Sequence, residues 1–245
     1  MYRFCKIPLN IDPTDLLSAY SSIEMHHPWI PHFVTRNYEG DWSVIPLRSV
    51  SGCADHIFSD PAATPDAYRD TPQLAAAPYI REVLAMLHCP HTSVRLMKLA
   101  AGGVIKEHCD HDLTFDQGSA RLHIPIQTSS QVDFFIENER VIMDVGECWY
   151  IDASRPHRLA NRGENDRIHL VIDCIVNNWL RDCFANAGYR PRKKSPLEER
   201  GIPPGALDQV IAALHAMGTE AGLRQAQELE ALRDGAANGA AGGQT

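Results

Sequence analysis

The sequence between residues 93 and 174 decides the fold. It opens with SVRLMKLAAGGVIKEHCD (93–110) and closes with RIHLVIDC (167–174). Apolar residues recur at about every second position in the first segment, and the same period returns in later ones, at 120–127, 132–136, 140–143, 147–151 and 168–174. Turn residues separate these segments. About eight short strands with regular turns predict a mainly β protein, a double-sheet jelly roll.

The flanking sequence predicts helices at 12–23 and 78–87 before the sheet and at 204–217 and 220–233 after it. Asp12 is a good N-cap and Pro13 suits the first helical position. We therefore expect a double-stranded β-helix (jelly roll, cupin-like) with flanking N-terminal and C-terminal helices. Its expected parts are 1–92 (helices and edge strands packed on the barrel), 93–176 (the β-helix core), 177–234 (a C-terminal helical extension) and 235–245 (a disordered tail).

Composition argues against several classes of partner. The 245 residues carry 23 Lys and Arg against 31 Asp and Glu, a net charge of −8, and contain no long basic run. That balance argues against nucleic acid and anionic membranes as partners. No segment predicts a membrane span or an export signal, and the seven cysteines are scattered without a CxxC pair. We expect reduced thiols and a cytoplasmic protein, with a homodimer as one open oligomeric state.

One set of polar residues has the spacing of a metal site. His108 and Asp110 are two apart at a strand end, so their side chains share a face. His157 follows a later strand that a jelly roll returns to the same barrel mouth. Two imidazoles and one carboxylate on one side of a metal leave the opposite positions open, which is typical of Fe(II) oxygenases. We predict that His108, Asp110 and His157 are the metal ligands of a catalytic site.

Arg167, ten positions after His157, opens the last predicted strand. A buried arginine needs an anionic partner, because an unpaired buried charge is costly. We predict that Arg167 binds the distal carboxylate of 2-oxoglutarate in a bidentate manner. The alternative is a structural salt bridge to a local Asp or Glu.

Two other His clusters are weaker metal candidates. Residues 26–32 (HHPWIPH) contain two prolines and no nearby carboxylate, which disfavours a metal site. Residues 88–91 (HCPH) could bind zinc, but no second cluster has matching spacing. A turn is the better interpretation of 88–91.

Residues from about 94 to 174 resemble the aspartyl/asparaginyl β-hydroxylase family, which includes bacterial free-proline hydroxylases. The matching segments are IKEHCD (105–110), RLHIPI (121–126), GECWY (146–150), PHRLAN (156–161) and DRIHLVIDC (166–174). The resemblance implies a double-stranded β-helix with Fe(II), and with 2-oxoglutarate and O2 as cosubstrates. By position, Arg167 corresponds to the family's 2-oxoglutarate arginine. Arg121 and His123 match its R-x-H pair, which also contacts 2-oxoglutarate.

The same resemblance bears on the reaction. Asp110 is retained, whereas a halogenase would need Gly or Ala there, so the resemblance implies hydroxylation. Met97 stands where the animal enzymes use a Ser for 2-oxoglutarate. The expected substrate is a small amino acid, proline-like or another, or a peptidyl residue.

Four residues are candidates for substrate binding: Arg95, Arg48, Arg158 and Trp149. Arg95 is favoured as a carboxylate clamp because it lies on a strand just before the metal segment. Each arginine has an alternative as one half of a surface ion pair, and Trp149 has an alternative in the core. Two other functions stay open: a cupin-type iron dioxygenase that does not use 2-oxoglutarate, and a non-catalytic jelly-roll binding protein.

Overall fold

The structure is a computed structural model that describes residues 3–60, 63–110, 113–190, 197, 200–202 and 206–241, the last seven by backbone alone. The strands are β1 (Phe4–Ile7), β2 (Ile30–Pro31), β3 (Tyr38–Glu39), β4 (Trp42–Val50), β5 (Tyr68–Asp70), β6 (His91–Leu99), β7 (Val104–His108), β8 (Ser119–Gln127), β9 (Val132–Ile136), β10 (Glu139–Val141), β11 (Cys148–Ile151), β12 (His157–Asn161) and β13 (Arg167–Ile175). The helices are α1 (Pro13–His26), α2 (Pro72–Ala75), α3 (Pro78–Met86), α4 (Asn178–Asn186), α5 (Leu207–Ala216) and α6 (Glu220–Ala241).

Two antiparallel sheets form the body of the chain. The major sheet has the order β1-β11-β8-β13-β6-β4-β2, with β5 paired to β4. The minor sheet has the order β10-β9-β12-β7-β3. From β6 to β13 the chain alternates between the two sheets, except at the β9–β10 hairpin within the minor sheet, which is the crossing pattern of a jelly roll. The predicted mainly β fold with flanking helices is confirmed.

Two apolar layers hold the sheets in place. One lies between the sheets and joins Met97 and Val171 of the major sheet to Phe134 and Leu159 of the minor sheet. The other covers the outer face of the major sheet. It packs apolar side chains of the sheet against α1 and α3, among them Leu16, Ile23, Ile80, Val83, Leu122 and Ile172.

β13 is the central strand of the major sheet, between β8 and β6, and all but its last residue are buried. Successive side chains point to opposite faces of a strand. Ile168, Leu170, Ile172 and Cys174 belong to the outer core. Arg167, His169, Val171 and Asp173 therefore face the space between the sheets. Buried polar side chains on one face of a central strand make that face a candidate for a functional site.

The first helix begins as the sequence predicts. The Asp12 carboxylate accepts hydrogen bonds from the backbone N–H groups of Thr14 and Asp15, and Pro13 follows it at the first helical position. The helix buries Leu16, Tyr20 and Ile23 on one face. Because this face packs on the outer core, the helix supports the major sheet from behind.

The chain divides into two compact units, Met1–Pro191 and Arg192–Thr245. The second unit has a small core of its own, which contains Ile202, Ile211, Ala226 and Leu229. The backbone of α6 continues to Ala241, past residue 235 where the sequence predicts a disordered tail, and its last turns are rich in Ala, a strong helix former. The four-part domain division stays a prediction. No helix within the described ranges has the length and apolar character to cross a membrane.

Candidate active site

A cavity of about 550 Å³ opens between the two sheets. Side chains from β4, β6, β7, β8, β12 and β13 line it, together with the loop that precedes β5. Among the lining residues are the three predicted metal ligands and the predicted 2-oxoglutarate residues Arg121, His123 and Arg167. The antiparallel sandwich thus brings together side chains that the sequence separates widely.

The predicted ligands His108, Asp110 and His157 converge at the mouth of this cavity, with ligand atoms all within 4.8 Å of one another. His108 ends β7 and His157 begins β12, and the two are register partners on adjacent strands. Their ring centroids lie 4.3 Å apart. The backbone N–H of Asp110 donates to the carbonyl of Ala153 at 2.8 Å, which fixes the segment just after β7.

Backbone contacts set the tautomers of both imidazoles. His108 Nδ1 lies 2.8 Å from the carbonyl oxygen of Lys106, and His157 Nδ1 lies 2.9 Å from that of Arg155. A carbonyl oxygen only accepts hydrogen bonds, so each Nδ1 carries the proton. The Nε2 lone pairs are then free to bind a metal, which is the usual arrangement for metal-binding histidines.

The charge states of the group also suit a metal. Burial lowers the pKa of His157, and the neighbouring His108 lowers it further, which favours a neutral imidazole. Burial alone would raise the pKa of Asp110, but Arg121 and the two histidines outweigh it and lower that pKa below its usual value. Neutral imidazoles and an ionised carboxylate are the forms that bind metals.

A buried carboxylate that the sequence analysis missed lies beside this group. Asp173 accepts hydrogen bonds from Arg121 Nε at 2.7 Å and from Arg95 Nη2 at 2.8 Å, and Ser59 Oγ also donates to it. Arg121 reaches Asp110 as well, with Nη1 2.5 Å from Oδ2. Burial would raise the pKa of Asp173, but the two arginines hold it well below its usual range. The sequence does hold one indication of Asp173. It lies an even number of residues after Arg167 on the same predicted strand, so the two side chains share a face.

Arg167 is buried, with 5% of its surface exposed, and it has no carboxylate partner within the described part of the chain. Its Nη2 lies 2.9 Å from His169 Nδ1, and its Nε has no hydrogen-bond partner. Burial lowers the pKa of Arg167 to about 9. The structural salt bridge considered for Arg167 is therefore not found among those residues, and the guanidinium is available to an anion.

Two histidines beside Arg167 also have unmet polar atoms. His123 Nδ1 and His169 Nε2 are buried, and neither atom has a hydrogen-bond partner among the residues that the structure describes. Burial, and then the charge of Arg167, lowers the pKa of both rings well below the usual value. Neutral imidazoles and an unpaired guanidinium form a polar cradle that fits the carboxylate of a dicarboxylic acid.

The opposite wall of the cavity is aromatic. His32 stacks on Trp42 with ring centroids 3.5 Å apart and an interplanar angle of 12°. Phe33, Phe58 and Tyr68 extend this wall. Residues 26–32 were considered only as a metal cluster, and His32 proves to be a wall residue. No sequence spacing could have shown this, because β2 and β4 bring His32 and Trp42 together only in the folded chain.

The structure brings one of the four predicted substrate residues to the cavity. Arg95 lines it, and its Nε has no partner. Arg48 pairs with Asp70 at 2.5 Å, and Arg158 pairs with Glu107 at 3.2 Å on the surface.

Trp149 lies outside the cavity lining as well. It donates to Glu147 at 2.8 Å and packs near Phe4. Arg48, Arg158 and Trp149 thus lie outside the cavity lining, and their assignment to the substrate stays a prediction. Met97 does line the cavity, at the position where the animal enzymes use a Ser.

Comparisons with known proteins agree with this geometry. The family model described as aspartyl/asparaginyl beta-hydroxylase matches residues 16–176. An L-proline cis-4-hydroxylase of Rhizobium meliloti (strain 1021) is 29% identical over 137 residues, which cover 55% of this chain and 48% of the relative. An L-proline cis-3-hydroxylase 1 of a Streptomyces species is 26% identical over 170 residues, which cover 66% of this chain and 57% of the relative. The chain thus spans about half the length of the curated relatives it matches.

Among solved structures, a prolyl-4-hydroxylase of Pseudomonas putida is similar at a TM-score of 0.44. It is 9% identical, and the similarity covers 73% of this chain and 95% of that one.

Proposed function

Because the chain belongs to the aspartyl/asparaginyl β-hydroxylase family, we propose that it is an Fe(II)- and 2-oxoglutarate-dependent hydroxylase of a small amino acid or of a peptidyl residue. One observation carries the proposal. His108, Asp110 and His157 converge beside a buried arginine, Arg167, for which the described residues supply no carboxylate. The first feature fits a metal with open positions, and the second fits an anionic cosubstrate bound near it.

The chain's own residues would hold iron in a defined way. His108 and His157 would bind it through Nε2, since both Nδ1 atoms face backbone carbonyls. Asp110 would bind through Oδ1, because Arg121 holds Oδ2. Arg121 would thereby orient the carboxylate and keep it ionised. When bound, the iron supplies the O2 chemistry, in which 2-oxoglutarate, O2 and a C–H bond give succinate, CO2 and an alcohol.

Arg167 would bind the distal carboxylate of 2-oxoglutarate. Its guanidinium lines the cavity, and an anion there would receive a hydrogen bond from Nε, which lacks a partner among the described residues. His123, a neutral ring that also lines the cavity, would contact the cosubstrate as the family's R-x-H pair does. Arg121 is the exception within that pair, since Asp110 and Asp173 already occupy it.

The aromatic wall supports a small substrate with a compact apolar part. Stacked flat rings such as His32 and Trp42 fit a saturated ring or a short aliphatic side chain. Arg95 is paired with Asp173 through Nη2, but its Nε has no partner among the described residues and would donate to a substrate carboxylate. The two curated relatives are named for L-proline, which has both features, so proline is the first substrate to test. A cytoplasmic location and a homodimer stay predictions.

The proposal is tested by incubating the protein with Fe(II), 2-oxoglutarate and O2 and a panel of free amino acids and prolyl peptides. We expect one substrate to gain one oxygen in mass while an equal amount of succinate forms. Asp110→Ala should abolish both products. Arg158→Ala, an arginine outside the cavity, is the matched control and should keep them.

Three results would contradict the proposal. Full activity of Asp110→Ala would remove the metal site from the mechanism. Oxygenation without release of CO2 from labelled 2-oxoglutarate would instead support a cupin-type iron dioxygenase. Failure of the wild-type protein to bind Fe(II) in an anaerobic titration would support a binding protein with a vestigial site.

A further inference from the structure

A second group of potential metal ligands lies outside the cavity. Cys89, His91 and Cys174 bring their ligand atoms within 4.8 Å of one another. Across the ranges that the structure describes, this group and the His108 group are the two that meet that condition. None of its three members lines the cavity.

Strand pairing creates the second group. His91 begins β6 and is the register partner of Cys174 on β13. Cys89 lies in the short loop between α3 and β6, and the backbone N–H of Ile175 donates to the carbonyl of Pro90 at 2.9 Å, which ties this loop to β13. The sequence places Cys174 far from residues 88–91, which is why that segment by itself predicted only a turn.

The group faces away from the proposed iron site. Cys174 belongs to the outer core between the major sheet and the helices, whereas its neighbour Asp173 faces the cavity. Adjacent residues of a strand point to opposite faces. Cys174 and the His108 group therefore lie on opposite sides of the major sheet, so one metal ion cannot serve both.

The donor atoms suit a thiophilic metal. Cys89 is 7% exposed and Cys174 is 1% exposed, and both are free thiols. The Nε2 atom of His91 is buried without a hydrogen-bond partner. Thiolate and imidazole ligands are the pair that zinc uses in structural sites, whereas hard cations such as Mg²⁺ require oxygen ligands.

Other thiols lie in the same core. Cys5 and Cys148 are buried there, and Cys183 packs against it. Five of the seven cysteines thus lie on this side of the major sheet. The group whose ligand atoms lie within 4.8 Å of one another does not include Cys5, Cys148 or Cys183, so a water would complete the four-coordinate geometry of zinc.

We propose that Cys89, His91 and Cys174 bind a zinc ion as a structural site distinct from the proposed iron site. Binding would release the two thiol protons, because the thiolate is the ligand form. The ion would tie the loop before β6 to the end of β13. That strand carries Arg167 and Asp173, so the zinc site would brace the major sheet from its outer face.

The test uses the full chain with the other site removed. Asp110→Ala and His157→Ala are combined, so that any remaining divalent metal reports on the second group. The reduced, metal-free protein is titrated anaerobically with Co²⁺, and Zn²⁺ is then added. We expect one equivalent of Co²⁺ to give the intense thiolate-to-cobalt charge-transfer absorption, which Zn²⁺ should abolish by displacement.

Cysteine variants then identify the ligands. In the same background, Cys89→Ser and His91→Gln should each weaken binding by about tenfold or more, and the charge-transfer band should fall or vanish. Cys53→Ser is the matched control, because Cys53 is an exposed free thiol outside the group. Circular dichroism checks that each variant is folded. Zinc should raise the unfolding temperature of the parent by a few degrees, as for any ligand of the native state, and should not do so in Cys89→Ser.

Three results would overturn the inference. The first is a reduced parent protein that binds no Co²⁺ with a thiolate signature. The second is a charge-transfer band that persists unchanged in Cys89→Ser. The third is a Cys89–Cys174 disulfide, found by peptide mapping in protein kept under reducing conditions, which would leave no thiolates for a metal.

Discussion

The arginines beside the two ends of β13 line the same cavity but have different partners. At one end, Arg95 and Arg121 share the carboxylate of Asp173, with nitrogen to oxygen distances of 2.8 and 2.7 Å. At the other end, Arg167 lies six residues from Asp173 along β13, without a carboxylate among the residues described. β13 therefore contributes to both sites. Its Asp173 pairs with two arginines of neighbouring strands, and its own Arg167 has no carboxylate partner among the residues described.

The pKa values of Arg121 and Arg167 show the same contrast, whereas for Arg95 burial outweighs Asp173 and lowers the pKa. Burial lowers the pKa of Arg121, but Asp173 and Asp110 outweigh it and raise that pKa above its usual value. For Arg167 burial acts alone, and the pKa falls to about 9. The paired end is stabilised within the chain itself. The unpaired end carries a desolvation cost that only a ligand from outside offsets, and this is the behaviour expected of a binding residue.

The largest expected effect is on stability at the paired end. Asp173→Asn leaves Arg95 and Arg121 buried with less negative charge, and removing one partner of a buried ion pair costs about 3–5 kcal/mol. We expect a loss of this size in the free energy of unfolding from urea denaturation. Asp70→Asn is the control, because Asp70 pairs with Arg48 while half exposed, and should cost at most about 1 kcal/mol. Equal losses in the free energy of unfolding of both variants would contradict the expectation that the buried pairing of Asp173 stabilises the fold more than the surface pair.

At the unpaired end the expected effect is on ligand binding. Arg167→Gln should weaken 2-oxoglutarate binding by about 2–5 kcal/mol, which is roughly 30-fold or more. Its free energy of unfolding without ligand should stay the same or rise, because an unpaired buried charge is removed. Calorimetric titration with 2-oxoglutarate and urea denaturation measure the two quantities. If Arg167→Gln lowered the free energy of unfolding and left the 2-oxoglutarate affinity unchanged, Arg167 would be a structural residue and not a binding residue.

The aromatic wall offers a pH test near the paired end. Burial, and then the charge of Arg95, lowers the pKa of His32 from 6.5 to about 4. Between pH 6.5 and about 4, His32 is protonated in the unfolded chain but not in the folded chain. The free energy of unfolding therefore keeps its full value above pH 6.5 and decreases as the pH falls toward 4. The contribution from His32 is up to about 3 kcal/mol.

A variant isolates this contribution. His32→Phe keeps a flat ring against Trp42 and removes the titration. In urea denaturation of metal-free protein at a series of pH values, the variant should lose less stability than the wild type over that range. Parallel curves would show that His32 does not titrate below its usual pKa.

The smallest effect on stability and turnover is expected at Arg158, an arginine that does not line the cavity. Arg158 pairs with Glu107 while 40% of its side chain is exposed, and it lies over the Phe135 ring. Surface pairs of this kind contribute about 0–1 kcal/mol. Arg158→Ala should change the free energy of unfolding by less than about 1 kcal/mol and leave turnover within about twofold. A large fall in turnover would return Arg158 to the substrate site.

The sequence predicted those features that depend on local spacing. The two-residue period identified the strands, and the same period placed His108 and Asp110 on one face. Arg167 was recognised because it follows His157 by ten positions and because a buried arginine needs an anionic partner. The mainly β fold and the family followed from these segments, and both are confirmed.

Features that depend on which strands become neighbours were not predictable in this way. Arg95 was expected near the substrate and does line the cavity, but its pairing with Asp173 on another strand was not foreseen. His32 joins the cavity because β2 pairs with β4, and Cys174 meets His91 because β13 pairs with β6. Local spacing fixes the face of a side chain, whereas the identity of its neighbour across the sheet is set by the tertiary fold.

The pairing of His108 with His157 also governs when the site forms during folding. These residues are register partners on β7 and β12. The four strands between them in the chain are divided between the sheets, with β8 and β11 in the major sheet and β9 and β10 in the minor sheet. Closing so long a loop costs entropy that is recovered only when the intervening strands have packed, so contacts of this kind form late and slowly. We therefore expect a nascent chain to complete its sandwich before the proposed iron site forms. The metal would then bind a folded protein and would not nucleate the fold.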